Sequence, residues 1–160
     1  MNKCFVCPFN CGVNRKTKLG VCQAPDYIEI SHSQIHFWEE PCISGVDEKL
    51  GGSGTIFFSH CNLRCVFCQN YKISQLNHGQ KYSEKELLKL CLRLKTEGAY
   101  NINLVSPTPY SLYIKEFLEK SRGRDLGKML DLGCGNGRLY DYLKKHFRNF
   151  QYAGMDFSAS

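Results

Sequence analysis

Apolar positions along this chain fall into short runs whose period changes from two to three-and-a-half and back. Ile28, Ile30, Ile35 and Phe37 alternate with polar residues, which predicts edge strands or a hairpin with His32 and His36 on the polar face and Trp38 in ordinary packing. Thr55-Ile56-Phe57-Phe58, introduced by Gly51, Gly52 and Gly54, is a β-branched and aromatic run that reads as a barrel strand. From Ser83 the period lengthens. Ser83 and Glu86 match a capping box, and Leu87, Leu90, Cys91 and Leu94 share one helical face until Gly98, which makes Cys91 a buried thiol. Asn101-Ile102-Asn103-Leu104-Val105 then begins a second, parallel strand, and Tyr110 to Leu118 reads as a helix. Further on, Met129 to Leu132 predicts a strand, a helix runs through Leu143, and Tyr152-Ala153-Gly154-Met155 predicts another strand. Strands alternating with helices place the chain in the α/β class.

Composition narrows the setting. With 160 residues and an apolar fraction of 42%, the chain has the makings of one ordinary globular domain or two very small ones. The N-terminus MNKCFVCPFNC lacks an apolar stretch of signal-peptide type, and no segment is long enough to cross a membrane. Ten cysteines would suggest disulfides in a secreted chain, but their spacings are those of metal ligands, which points to a reducing cytoplasm. The net charge of +6 is spread among acids on the helices, so it speaks for surface solubility and not for nucleic acid.

Two cysteine groups carry the candidate chemistry. Cys61, Cys65 and Cys68 follow the strand of residues 55–58 in C-x3-C-x2-C spacing, which suits a cubane [4Fe-4S] cluster with one iron left without a protein ligand. Zinc and plain buried thiols are the weaker alternatives; zinc takes four ligands, usually as two spaced pairs, and His60 would point away from it if this stretch enters a loop after a strand. Upstream, Cys4, Cys7, Cys11 and Cys22 open with C-x2-C and are punctuated by Pro8, Gly12 and Gly20, which let a chain wrap tightly around an ion. Four thiolates would close that second site around zinc or a second iron-sulfur cluster, and bound metal would supply stability that the segment's small apolar content does not. Cys42 could replace one of the four.

The stretches GSGTIFFSHCNLRCVFCQNYKIS and EGAYNINLVSPT resemble the radical S-adenosylmethionine (radical SAM) proteins related to the activating enzyme of pyruvate formate-lyase, over residues 1 to about 112. The resemblance implies a (βα) partial barrel in which SAM chelates the open iron and is reductively cleaved to a 5'-deoxyadenosyl radical. It implies that Phe67, one place before the third cysteine, packs on the adenine of SAM. It also implies an electron donor such as flavodoxin or ferredoxin, and a protein substrate. No residue is assigned as catalytic in its own right, because the cofactors carry the reaction. Many such relatives have a Gly-Gly-Glu type sequence where this chain has Ser106-Pro107-Thr108-Pro109, and the nearest subgroup would place a histidine at Pro109. Ser106 and Thr108 offer hydroxyls there instead.

After residue 112 the motif changes. Asp131-Leu132-Gly133-Cys134-Gly135-Asn136-Gly137, with Asp156 after the next strand, resembles the start of a class I SAM-dependent methyltransferase. That resemblance implies an incomplete Rossmann-like βαβ unit in which Asp131, Gly133, Gly135 and Gly137 approach SAM and Asp156 accepts hydrogen bonds from its ribose, with Cys134 a mere loop residue. A full barrel needs on the order of 200 residues, so the sequence reads as a truncated or chimeric chain with little turnover of its own. Three parts follow: a cysteine-rich segment at 1–50, the start of a radical SAM core at 51–112, and the start of a methyltransferase-like unit at 113–160. Two rivals stand beside the radical SAM reading: a methyltransferase fragment that binds SAM without iron, and a non-catalytic cysteine-rich metal-binding module.

Overall fold

The computed structural model describes residues 3–37 and 51–121, together with the backbone of 128–132 and 152–155. Six strands form one sheet. In chain order these are β1 (Ile28–His36), β2 (Ser53–Phe58), β3 (Gln80–Tyr82), β4 (Asn101–Val105), β5 (Lys128–Leu132) and β6 (Tyr152–Met155), and their spatial order is β3-β1-β2-β4-β5-β6. β1 runs antiparallel to both β2 and β3, whereas β2, β4, β5 and β6 are parallel in sequence order. The α/β class holds. From β2 to β4 and from β4 to β5 the connection carries a helix, as period-switching sequence produces, since each crossover must carry the chain back along the sheet.

Where the alternation predicts edge strands or a hairpin, the chain makes one nine-residue inner strand. The reason is a register shift between Ile30 and His32. Ile28 and Ile30 face the core before it, Ser33 and Ile35 occupy that face after it, and His32, Gln34 and His36 turn to the other side. A single inserted residue therefore switches the parity of the pattern.

Two helices cover one face of the sheet. α2 (Glu84–Thr96) starts at the expected capping box, in which Ser83 Oγ accepts from the Glu86 backbone N–H and the Glu86 carboxylate accepts from the Ser83 N–H. It buries Leu87, Cys91 and Leu94, so Cys91 is a core thiol, as its place on the helical face predicts. α3 (Ser111–Lys120) buries Ile114, Phe117 and Leu118. These side chains close with Ile56, Phe58, Ile102 and Leu104 over Ile28 and Ile30. Gly54 lets α2 and the turn after it settle close to β2, since a Cβ there would lie 3.2 Å from that of Leu94 and 2.8 Å from that of Ala99. At about 25 cal/mol per Å² of apolar surface, this helix-covered face is the main source of stability.

The opposite face is polar. His32, Gln34 and His36 of β1, Ser53 and Thr55 of β2, and Asn101 and Asn103 of β4 share it with Phe57, on which the His32 ring stacks at 4.4 Å. Ser53 Oγ donates to Asn101 Oδ1 at 2.7 Å. Trp38 and Cys42 lie outside the described residues, and among those described no helix is long and apolar enough to cross a membrane.

Candidate functional site

The cysteine loop begins where β2 ends, at the edge of the sheet formed by the C-terminal ends of its parallel strands. Ser59 leaves the strand by donating its N–H to Glu29 O at 3.0 Å and its hydroxyl to His78 O at 2.9 Å. His60 then takes a left-handed backbone with φ of 66°, and its N–H donates to Ile73 O at 2.9 Å. Its side chain is buried against Glu29, with Nε2 2.5 Å from Glu29 Oε2. This pairing turns the chain sharply, so that Cys61 starts a loop rather than continuing the strand.

The far side of the loop is held by a short helix, α1 (Tyr71–Ser74). Cys68 N–H donates to Cys65 O at 3.3 Å, Tyr71 N–H to Cys68 O at 3.2 Å, and Gln75 Nε2 to Leu63 O at 3.1 Å. Cys68 Sγ lies 3.3 Å from Ser74 Oγ. Cys61 is half-buried, Cys65 exposed and Cys68 half-buried, and all three are free thiols. Burial pushes the Cys61 thiol up, while hydrogen bonds with the Leu63 backbone and the Ser106 side chain pull it down, and the neighbouring Cys68 and Cys65 push it up again. The two hydrogen bonds favour the anionic sulfur that a metal ligand must be. Ser106, itself left-handed at φ of 59°, ends β4, so the ends of two adjacent parallel strands meet at Cys61.

Phe67 is 86% exposed and Val66 97%, leaving an aromatic face bare beside the third cysteine. Thr108 and Pro109 are buried in a one-turn 3-10 helix that caps β4. Instead of a histidine side chain, position 109 presents a carbonyl oxygen, which accepts from Arg15 Nη1 at 2.5 Å.

The first cysteine group packs beneath this turn. Cys4, Cys7 and Cys22 are buried and Cys11 is half-buried. Burial pushes the Cys22 thiol up; the Ala24 backbone and Arg15 oppose this, whereas Cys7 and Cys4 add to it, which places three of the four cysteines in one neighbourhood. Arg64 Nη1, from the second group's loop, lies 3.5 Å from Val21 O. Among the described residues, neither group has three side chains already converged at metal-ligand distance. The donor sets nevertheless fit a thiophilic metal, being free thiols gathered on short turns with hydrogen-bond donors aimed at sulfur.

Of the later candidates, Asp131 lies in β5. Gly133, Gly135, Gly137 and Asp156 lie outside the described residues. Sequence reasoning missed Glu29, Arg15 and the role of Ser106 on Cys61. None has a local signal, because each acts on a partner far along the chain.

Comparison with known proteins gives a consistent result. The model of the radical SAM superfamily matches residues 55–157. An uncharacterised protein of Methanocaldococcus jannaschii is 37% identical over 124 residues, an alignment covering 72% of this chain and 34% of that protein. The chain thus spans about a third of the length of this curated relative. No solved structure matches.

Proposed function

This chain belongs to the radical SAM superfamily, and on that premise we propose that Cys61, Cys65 and Cys68 hold a [4Fe-4S] cluster at the end of β2, with Phe67 against the adenine of SAM. The observation that carries this reading is the placing of a C-x3-C-x2-C loop at the end of one parallel strand, with Ser106 reaching Cys61 from the end of the next. In such folds reacting groups gather where strands end. When bound, the cluster and SAM would supply one-electron reductive cleavage of the sulfonium's carbon-sulfur bond, the electron coming from a low-potential donor.

The chain's own part is positioning. Glu29 and His60 set the turn into the loop, α1 fixes its exit, and the Leu63 and Ser106 donors hold negative charge on Cys61. Within the superfamily, the likeness of residues 1–112 to the activating enzymes supports a protein substrate and a flavodoxin or ferredoxin donor. Anaerobic reconstitution should give the unaltered chain about four more irons and four more sulfides than the Cys61→Ala, Cys65→Ala, Cys68→Ala variant. A triple variant retaining all its iron would refute the ligand assignment. Whether the loaded chain cleaves SAM is read from 5'-deoxyadenosine formed with a strong reductant.

A second reading concerns residues 113–160. β5 and β6 are adjacent and parallel, as a SAM-binding βαβ unit requires, and they end just before the glycine run and before Asp156. Calorimetry of SAM with iron-free protein, compared with Asp156→Ala, tests it. Saturable binding lost in the variant would support a methyltransferase-like site, and its absence would remove the idea.

A further inference from the structure

A guanidinium withdrawn from water without an opposite charge costs several kcal/mol, so buried arginines are paired. Arg15 is 5% exposed. Its Nη1 donates to Pro109 O at 2.5 Å and its Nη2 lies 3.9 Å from Cys22 Sγ. Among the described residues no carboxylate forms an ion pair with it. A carbonyl dipole and a neutral thiol do not balance a full positive charge, whereas thiolates do.

The surrounding backbone is built as two facing turns. Cys4 N–H donates to Val13 O at 2.8 Å and Gly12 N–H to Cys4 O at 2.9 Å, closing the segment that carries Cys7 and Cys11. Within it, Asn10 N–H donates to Cys7 O at 3.0 Å. The second turn, in which Gln23 N–H donates to Gly20 O at 3.0 Å, carries Cys22. Gly20 has no Cβ for a reason: one would sit 2.8 Å from Cys11 Sγ, so the bare backbone makes room for that sulfur. Three buried thiols, a fourth seated against a glycine and a buried cation with no carboxylate at ion-pair distance among the described residues are hard to explain by packing alone.

We propose that Cys4, Cys7, Cys11 and Cys22 bind one thiophilic metal centre as four thiolates, with Arg15 as its buried counter-charge. The shared chemistry is closed four-sulfur coordination, and the centre is either a zinc ion or an iron-sulfur cluster; each carries about two net negative charges with four thiolates. Arg15 then does two things at once. It neutralises part of that charge, and through the Pro109 carbonyl it ties the metal-bearing segment to the turn after β4, three residues from the serine that bonds Cys61.

The test uses the full chain with Cys61, Cys65 and Cys68 replaced by alanine, so that the outcome is independent of the radical SAM site. Purified anaerobically, it should hold about one zinc, or iron and sulfide in equal amounts, and these two results distinguish the sources. After metal removal, Co²⁺ should give the charge-transfer bands of four-thiolate coordination, lost on adding Cys7→Ser and Cys22→Ser. Absence of both metal and bands would overturn the proposal. The unaltered chain provides a second measurement that needs no variant to fold: Zn²⁺ should protect Cys4, Cys7, Cys11 and Cys22 from alkylation, and unprotected cysteines would equally overturn it. For the counter-charge, Arg15→Leu should weaken Co²⁺ binding about tenfold or more while Arg15→Lys stays within a few-fold. Equal binding by the two variants would remove Arg15 from the site.

Discussion

Asn103 is fully buried in β4, and neither its amide nitrogen nor its amide oxygen has a hydrogen-bond partner. Leaving such a group unpaired costs about 1–3 kcal/mol, so its neighbours on the polar face give no reason of stability for its presence. Asn103→Val, which keeps a strand-favouring side chain of similar size, should raise stability by about 1 kcal/mol in urea denaturation. A lower stability would mean that the carboxamide is satisfied in solution. Cys91 gives the reverse case, a thiol whose surroundings suppress its chemistry. Burial pushes it up to about 12. Only the thiolate is nucleophilic, so Cys91 is a poor nucleophile in the folded chain. Peptide mapping after iodoacetamide should find the exposed Cys65 labelled first and Cys91 last, and early labelling of Cys91 would show that α2 opens readily.

At the level of elements, α2 was legible because its signals are local: an N-cap, an acid three residues on, and a repeat of apolar residues. Ser83→Ala should cost about 1 kcal/mol, measured by chemical denaturation at neutral pH. Hydrogen bonds from Ser83 hold the Glu86 carboxyl below its ordinary value. A carboxylate so depressed contributes stability above its unfolded pKa, and that contribution is lost as pH falls through the folded value. The gap between wild type and Ser83→Ala should therefore narrow in acid. β1 was harder to read, since one bulge moves the core positions from Ile28 and Ile30 to Ser33 and Ile35, and periodicity assumes an unbroken pleat. β3 and α1 are only three and four residues long, too short to display a period at all. The cysteine loop was legible for the same reason as α2, because ligand spacing is written in eight consecutive residues. Its supports were not: Glu29 acts on a residue 31 positions away and Arg15 on one 94 away.

The whole molecule is organised by a sheet that does not stop where the sequence changes character. β4 pairs with β5 through five residues, Asn101 with Lys128 to Val105 with Leu132, and the superfamily match runs on to residue 157. The division near residue 112 rested on motifs that report what a loop binds, and such motifs carry no information about which strand lies beside which. Pairing of this kind makes β5 a structural requirement for β4, because removing it would bare the backbone of a strand that also holds Ser106 in place. A chain ending at Ser121 should therefore lose cooperativity in thermal unfolding and self-associate through the open edge of β4, as read by calorimetry and light scattering. Two merely joined units would behave differently. The shortened chain would then remain monomeric and unfold at the temperature of the full one, and that result would support a boundary near residue 112.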